Sequence, residues 1–391
     1  MYWNKSTPRL LIFVLVALVT TPGLAAVAKT PTPAATVSAL NPGKDVYFGV
    51  DLDWANDNLA NYSERLGKTP FLSYVFLPYP LDANAIATFT KVLDESAQTG
   101  GGVVAALQPS QSLDKLTAVD AQAFATIAAT AEASGEPVLV DFAAQMNGSW
   151  FPYGLEPTKF VPAYRLFVNT VRAAAPRTLF VWSPAYAGGY PFVTREYLPD
   201  PKSKDFALLD TNRDGSITIQ DDPYAPFYPG DDYVDWVGMT LNHWGSAYPW
   251  HENEVPEAGK LLDELHGEYN GLNGDSSALP DFYAQYVQKK NKPFILRTAA
   301  LYLPGKKGAT QSGIKRSWWR QVFSDKTFKA LPGLKAVIWE EWDRPEFETD
   351  GAMVDWRVTA STRIREEFIA DLPVDRLIFA PKGLSLATPA P

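Results

Sequence analysis

The chain has 391 residues, of which 46% are hydrophobic and 13% aromatic, enough apolar content for one large barrel or two ordinary domains. Its net charge is -9, its sequence pI is near 5.0 and it has no long basic run, which argues against nucleic acid and anionic membrane surfaces as partners. Because cysteine is absent, disulfides, thiol catalysis and cysteine-ligated zinc are excluded, and with only three histidines a three-histidine zinc site is nearly excluded too.

Residues 1–28 have the pattern of a signal peptide. Lys5 and Arg9 give a positive start, a run of apolar residues follows, and Ala26-Val27-Ala28 supplies a cleavage site of small residues. We therefore expect a secreted protein with no membrane contact beyond this segment.

Residues 45–380 alternate short apolar runs with longer helical patterns, such as 160–174 and 279–290, which is typical of repeated βα units. Residues 29–44 are rich in Pro, Thr and Ala and read as a linker, and residues 381–391 read as a C-terminal tail. The candidate strands are 47–52, 71–76, 103–107, 138–143, 179–182, 236–241, 294–298 and 336–339. The pattern predicts a single-domain α/β fold, a (β/α)8 TIM barrel whose site lies at the carboxyl ends of its strands. A doubly wound open sheet is the alternative, but no glycine-rich phosphate loop follows the first strand.

The end of the fourth candidate strand carries the main motif. Residues 140–150 read Val-Asp-Phe-Ala-Ala-Gln-Met-Asn-Gly-Ser-Trp. This segment resembles the Arg-Phe-Ala-His-Glu-Met-Asn-Gly-Ser-Trp signature of glycoside hydrolase family 26, a family of β-mannanase-like (β/α)8 barrels. In that signature Glu is the general acid/base, whereas here Gln145 stands in its place, Ala144 replaces the His and Asp141 replaces the Arg. Glutamine has no proton to give, and acid/base help is typically worth ~10²–10⁴-fold in rate.

The resemblance covers most of the mature chain and implies a second carboxylate, the nucleophile, at the end of the seventh strand. In retaining glycosidases the two carboxyl groups lie roughly 5–5.5 Å apart. Counting from Pro293 puts the nucleophile position on Thr298, whereas alignment on the string Thr-Ala-Ala-Leu-Tyr puts it on Arg297. Neither is a carboxylate, so both catalytic positions are expected to be substituted.

Other acidic residues end the first and eighth strands, namely Asp51, Asp53, Glu340 and Glu341. Two interpretations stay open. They form hydrogen bonds at the rim of the barrel, or they replace the missing carboxylates of an active hydrolase.

Asp141 shares a strand face with Gln145 and is expected to point into the barrel. A buried carboxylate needs a neighbouring cation or a raised pKa. Arg297 is the best candidate for an ion pair with Asp141. In the alternative, Arg297 faces outward and Asp141 has a different partner.

Residues 210–221 fit a calcium-binding loop of the EF-hand type. The expected oxygen ligands are Asp210, Asn212, Asp214, the carbonyl of Ser216 and the closing Asp221, and Gly215 permits the sharp turn. Since the loop joins the fifth and sixth strands, the Ca²⁺ would be structural, and no catalytic cofactor is expected. The alternative is a turn without metal.

Several residues at or just beyond the predicted strand ends are candidate sugar contacts, because flat rings at the functional face of a barrel suit carbohydrate binding. They are Trp54, Asn147, Trp150, Tyr153, Trp182, Tyr186, His243, Trp244, Trp339 and Trp342. Asn61 and Asn147 each begin a glycosylation sequon, so a glycoprotein is expected.

These patterns favour a secreted, monomeric barrel that binds an oligo- or polysaccharide of the β-mannan or β-glucan type without efficient hydrolysis. An active retaining glycoside hydrolase with relocated carboxylates is the first alternative. A structural or interaction barrel with a plugged site is the second.

Overall fold

A computed structural model describes residues 40–192, 198–246, 248–271, 274–275 and 277–381. The predicted signal peptide at 1–28, residues 29–39 of the predicted linker and residues 382–391 of the predicted tail lie outside the described residues. No helix within these described ranges is long and apolar enough to cross a membrane.

Eight parallel strands, β1 to β8, form a closed barrel in sequence order. They are β1 Val46–Leu52, β2 Leu72–Tyr79, β3 Gly102–Pro109, β4 Val138–Phe142, β5 Leu179–Trp182, β6 Trp236–Thr240, β7 Phe294–Thr298 and β8 Leu334–Glu341. The barrel closes where β1 pairs with β8, with Asp51 in register with Glu340. The predicted (β/α)8 barrel is confirmed.

Nine α-helices lie along the described chain, mostly between the strands. They are α1 Leu59–Leu66, α2 Ala83–Thr99, α3 Ala118–Ala133, α4 Pro157–Ala174, α5 Lys204–Leu209, α6 Lys260–Leu265, α7 Gln311–Val322, α8 Asp325–Ala330 and α9 Thr362–Asp371. Local sequence fixes their ends: Asn58 and Asp82 accept hydrogen bonds from the first turns of α1 and α2. The α-helical pattern at 279–290 was only partly right, because Tyr283–Gln288 forms a π-helix.

Short strands supplement the barrel. Asp343–Pro345 and Met353–Asp355 form an antiparallel hairpin directly after β8, which we call the β8 hairpin. Asn270–Gly271 pairs with Gly274–Asp275, and Leu377–Ile378 runs parallel to the start of β1.

Alternate residues of each strand face two separate cores. One set fills the inside of the barrel: Tyr47, Leu72, Tyr74, Val104, Ala106, Leu139, Leu179, Val181, Trp236, Ile295, Ala336 and Ile338. The other set packs against the surrounding helices. Gly49 belongs to the inner face, where a Cβ atom would lie 2.2 Å from the Ile338 side chain, so β1 needs glycine there.

Leu40 also belongs to the inner core, with only 3% of its surface exposed. The segment 40–44, predicted as the last part of the linker, is therefore anchored to the fold by the burial of this side chain.

Candidate functional site

The chain departs from regular strand geometry immediately after β4. Ala143 and Gln145 both have left-handed backbones, with φ of 53° and 60°, which non-glycine residues adopt only when their surroundings hold them there. The Gln145 amide donates to the Ser183 carbonyl at 2.7 Å, and Trp150 Nε1 donates to Gln145 Oε1 at 3.1 Å. These two contacts hold the backbone and the side-chain oxygen of Gln145 in place.

Trp150 can lie back toward Gln145 because Gly148 has no side chain. A Cβ at Gly148 would lie 2.4 Å from the indole ring. Trp150 is half-buried and packs edge-on against Phe192, with ring centroids 4.8 Å apart. The Gln145–Trp150 pair is therefore a preorganised combination of an amide and an aromatic ring at the barrel mouth.

Asn147 has a structural role instead of the predicted contact with sugar. Its Nδ2 donates to the Ala185 carbonyl at 2.9 Å, and its Oδ1 accepts from the Ala185 amide at 2.8 Å. The side chain is fully buried and joins the loops after β4 and β5. As it lies in the folded chain, Asn147 is accessible neither to sugar nor to glycosylation, whereas Asn61 is exposed.

The two candidates for the nucleophile position on β7 face opposite ways. Thr298 points out of the barrel, where its hydroxyl donates to the Leu241 carbonyl and accepts from Trp318 Nε1 at 2.8 Å. Arg297 points inward, with its guanidinium 5.0 Å from the ring of Phe76 and 5.6 Å from that of Tyr74. Of the two, Arg297 is the residue that β7 presents to the mouth.

Arg297 lies between two carboxylates at the junction of β1 and β8. Its Nη2 is 2.7 Å from Asp51 Oδ2 and 2.9 Å from Glu340 Oε2, and its Nε donates to Asp51 Oδ2 at 2.8 Å. The expected ion pair between Arg297 and Asp141 is therefore wrong. Glu340 is in register with Asp51 and brings a second negative charge to the junction of β1 and β8. The two carboxylates together hold the Arg297 guanidinium there.

The network continues toward the surface through the β8 hairpin. Arg344 lies 2.8 Å from Glu340 and 2.8 Å from Glu346, and its guanidinium stacks over Trp342 at 5.0 Å. Trp342 Nε1 in turn donates to Asp51 at 3.0 Å. Two arginines thus hold three carboxylates in one connected cluster, which we call the mouth network: Asp51, Arg297, Glu340, Trp342, Arg344 and Glu346.

Burial and charge set the protonation of this network. Burial raises the pKa of Asp51 to about 6 despite Arg297, and it raises the pKa of Glu346 to about 7 despite Arg344. Burial also acts on Glu340, but Arg297 and Arg344 hold its pKa below the ordinary value. Asp51 and Glu340 are fully buried and paired with the arginines, so they are not solvent-facing nucleophiles.

The other two acidic residues near these strand ends also have structural partners. Asp53 closes the turn after β1 by accepting from the Ala55 amide at 3.2 Å and from Asn56 at 2.7 Å. Glu341 accepts from the Val358 amide at 2.8 Å and from the Thr359 hydroxyl at 2.7 Å. Because strand residues alternate, Glu341 lies on the outer face, opposite to Glu340.

Asp141 is inside the barrel, as expected, but without a paired cation among the described residues. The Tyr74 hydroxyl donates to its Oδ2 at 3.2 Å. Burial raises the pKa of Asp141 to about 8, although hydrogen bonds from Tyr74 and Ser183 and the charge of Arg297 lower it. Asp141 is therefore a largely neutral carboxylic acid at pH 7. A buried carboxylate was expected to need either a neighbouring cation or a raised pKa, and Asp141 has the raised pKa.

Five of the predicted aromatic contacts are buried, so they are not accessible to sugar in this structure. A position near a strand end does not show whether a ring points into the barrel or toward the surrounding helices. Trp182 and Trp339 are fully buried in the outer core, and burial lowers the pKa of His243 to about 3. The buried residues are Trp54, Tyr153, Trp182, His243 and Trp339. The half-buried ones, which retain accessible surface, are Trp150, Tyr186, Trp244 and Trp342.

Hydrogen bonds from backbone amides to Asp210 and Asp221 hold the loop 210–221, for which calcium binding is predicted. Asp210 accepts from the amides of Asp214 and Gly215, and Asp221 accepts from the amides of Thr211 and Thr218. Within the described part of the chain, no three His, Cys, Asp or Glu side chains form a group that could hold a metal ion. The expected ligand set also includes Asn212 and the Ser216 carbonyl, and calcium stays a prediction.

Sequence reasoning missed the hairpin residues Arg344 and Glu346, which complete the mouth network. A signal was present in the alternation of charges after β8, where Glu340, Arg344 and Glu346 follow one another at short spacing. It also missed Tyr248 and Trp250, which pack beside Trp244 in the loop after β6.

The chain is similar in fold to solved structures of family 26 mannanases. A modular endo-β-1,4-mannanase of family 26 from Cellulomonas fimi is 16% identical, with a TM-score of 0.56 over 89% of this chain and 76% of that one. A family 26 β-mannanase from Bacteroides ovatus is 15% identical, with a TM-score of 0.54 over 90% of this chain and 97% of that one. No family model matches the chain, and no curated protein matches it. At these identities the likeness shows the fold alone: a (β/α)8 barrel like those of the two mannanases.

Proposed function

We propose that the protein is a secreted, monomeric barrel that binds a polysaccharide of the β-mannan or β-glucan type without hydrolysing it efficiently. One observation carries the proposal. Arg297 occupies the β7 position of the mouth and pairs with Asp51 and Glu340, the nearest carboxylates. A cation there cannot form a glycosyl ester, and it engages the groups that would otherwise replace the nucleophile.

The opposite side of the mouth supports the same proposal. Gln145 has no acidic proton, yet its fixed amide and the adjacent Trp150 ring offer a hydrogen-bond donor beside an apolar platform. Sugars present both hydroxyl groups and apolar ring faces, so this combination suits binding. The fold of known mannanases is consistent with a polysaccharide ligand, and the predicted signal peptide is consistent with an extracellular one.

The first alternative, an active hydrolase with relocated carboxylates, has little support from the described residues. Asp51 and Glu340 are paired with Arg297, Asp53 closes a turn and Glu341 faces outward. Asp141 is buried with hydroxyl partners below the mouth. A retaining mechanism needs two accessible carboxyl groups across one bond, and none of these residues supplies such a pair.

The second alternative, a structural barrel with a plugged mouth, is favoured by a different observation. Asp51 and Glu340 are 0% exposed and Arg297 is 5% exposed, so side chains fill the centre of the barrel at this level. Under the leading proposal, sugar binds above and beside this network. Under the alternative, the half-buried rings contact a protein partner instead.

Binding measurements separate these possibilities. Calorimetry with soluble β-mannan and β-glucan is expected to detect binding by the wild-type chain, and Trp150→Ala is expected to weaken it about tenfold by removing a ring contact. Leu166→Ala, an exposed change on α4, is the matched control and is expected to bind like the wild type. Absence of binding to either polysaccharide would favour the plugged barrel.

We also propose structural calcium in the loop 210–221, on the sequence pattern alone. A ligand that binds only the folded chain must raise its stability, by about 2.7 kcal/mol at a hundredfold excess over Kd. Thermal unfolding with calcium and with chelator tests this. Asp210→Ala is expected to abolish the difference, and identical midpoints for the wild-type chain in the two conditions would exclude the metal.

A further inference from the structure

The loop after β6 carries a cluster of aromatic rings that the mouth network does not use. Trp244 stacks on Trp250 with centroids 5.1 Å apart and 28° between the planes, and Tyr248 packs edge-on against Trp250 at 5.4 Å. Trp244 is supported from the other side by Trp356, at 4.7 Å. We call Trp244, Tyr248 and Trp250 the β6 aromatic cluster.

The backbone that carries this cluster is held by polar contacts. The Ser246 amide donates to Glu254 at 2.6 Å, and the buried ammonium of Lys260 donates to the Gly245 carbonyl at 2.8 Å. Gly245 has φ 140°, and a Cβ there would lie 2.9 Å from the Trp250 ring. The described part of the loop thus holds its rings in place before any ligand arrives, which lowers the entropic cost of binding.

Tyr248 is the accessible member of the cluster. It is 44% exposed, whereas Trp244 and Trp250 are half-buried. The Tyr248 ring stands edge-on to Trp250, which in turn stacks on Trp244, so an exposed aromatic face with a hydroxyl at its edge is held by a fixed neighbour. The apolar face of a pyranose ring packs well on such a face.

The position of the cluster links it to the mouth. The same loop begins with Asn242, whose side chain donates to Glu340 of the mouth network at 3.1 Å. Its far end is joined to the β8 hairpin by His251, 3.3 Å from Asp350. The platform therefore lies on the carboxyl-end face of the barrel, beside the filled centre.

The charges around the platform restrict the class of glycan. Asp350, which contacts His251 next to Trp250, is exposed, as is Glu252 two positions after Trp250, and the chain has a net charge of -9. These negative charges disfavour uronic-acid polymers and leave neutral glycans as the compatible class.

We propose that the β6 aromatic cluster is a binding platform for a neutral β-linked glycan, with Tyr248 as the stacking ring and Trp250 and Trp244 as its support. This inference rests on the proposed function and adds the place of contact and the charge class of the ligand. It explains how a barrel whose centre is filled by ion pairs binds a polysaccharide across its face.

The test is calorimetry of the full chain with β-1,4-mannohexaose, β-1,4-glucohexaose and a polygalacturonate oligosaccharide. Tyr248→Ala is expected to weaken binding of a neutral hexasaccharide about 3- to 10-fold. Tyr248→Phe keeps the ring and is expected to bind within twofold of the wild type. Leu166→Ala on α4 is the control for an exposed apolar change far from the loop, and thermal unfolding verifies that each variant is folded.

The outcomes separate this inference from the proposed function. If the wild type binds a neutral hexasaccharide and Tyr248→Ala binds it equally well, the platform is overturned while glycan binding stands. If the wild type binds no neutral glycan, both fall. Preference for polygalacturonate overturns the charge argument. If the wild type sediments as a dimer and Tyr248→Ala dissociates it without changing the sugar affinity, the cluster is assigned to self-association instead.

Discussion

Asp141 on β4 and the pair Asp51 and Glu340 on β1 and β8 lie on opposite walls of the same barrel, and all three are buried. Asp141 has hydroxyl partners, and burial raises its pKa to about 8. Asp51 and Glu340 have Arg297 between them. The first carboxyl is accommodated by keeping its proton, and the other two are accommodated by a cation.

This difference separates the two halves of the candidate site. On the β4 side, the carboxyl beneath Gln145 and Trp150 is neutral, and no ion pair is seen there among the residues that the structure describes. On the β7 and β8 side, ion pairs occupy the centre and the β8 hairpin covers them through Arg344. One half is suited to contact a neutral ligand, and the other half stabilises the fold.

Removing the cation is expected to have the largest effect. Arg297→Met leaves Asp51 buried without a paired cation and leaves Glu340 with Arg344 alone, and we expect it to lower the free energy of unfolding by about 3–5 kcal/mol at pH 7.5. The loss should be smaller at pH 5, because both carboxyl pKa values rise in the variant and the folded state then binds more protons than the unfolded state. Urea unfolding at the two pH values measures this.

The matched control for that variant removes the charges together. Arg297→Met combined with Asp51→Asn and Glu340→Gln should be more stable at pH 7.5 than Arg297→Met alone, since no unpaired ion remains buried. A loss below about 1 kcal/mol for Arg297→Met alone, the size typical of an exposed pair, would contradict the buried network.

Replacing the Asp141 carboxyl on β4 by an amide is expected to raise the free energy of unfolding, whereas Arg297→Met lowers it. Folded Asp141 has a pKa of about 8 against an ordinary value of 3.8. Between these values the folded state holds a proton that the unfolded state has lost, so stability falls as pH rises. Asp141→Asn should remove this dependence and stabilise the chain at pH 8 by more than about 1 kcal/mol, with little change near pH 4. Equal slopes for both chains between pH 5 and 8 would refute the assignment.

The smallest expected effect concerns Gln145. In Gln145→Glu the new carboxylate still accepts from Trp150 but no longer donates, so we expect glycan binding about tenfold weaker at pH 7. Binding should recover as pH falls and the carboxyl regains its proton. Calorimetry across pH 4–8, with the wild type as control, measures this. A variant that binds equally at every pH would show that the Gln145 amide contacts no ligand.

The sequence was sufficient for the barrel because eight apolar strands separated by helices leave few other arrangements. It was insufficient to determine which side of a strand each side chain faces. Trp339 and Glu340 are neighbours, yet the first packs on Phe323 and Phe368 outside and the second on Arg297 inside. A shift of one residue exchanges the two faces of a strand, which is why Thr298 and Arg297 could not be distinguished.

The partner of Arg297 was also beyond sequence reasoning. Asp51 and Arg297 are separated by 246 positions, and they meet because the closure of β1 on β8 places Asp51 beside Glu340. Asp141 was correctly placed inside the barrel, but its neutral state follows from complete burial among residues of other strands, which outweighs the hydrogen bond from Tyr74 that lowers its pKa.

Turnover of β-mannan by the wild-type chain tests the central claim most directly. Because Gln145 and Arg297 supply neither an acid/base nor a nucleophile, we expect no reducing-sugar release above a no-enzyme control, from a sample that binds the same polymer. Gln145→Glu alone should leave turnover undetectable, since the nucleophile position is still a cation. Turnover by the wild type at ordinary enzyme rates, about 1–10³ per second, would contradict the account.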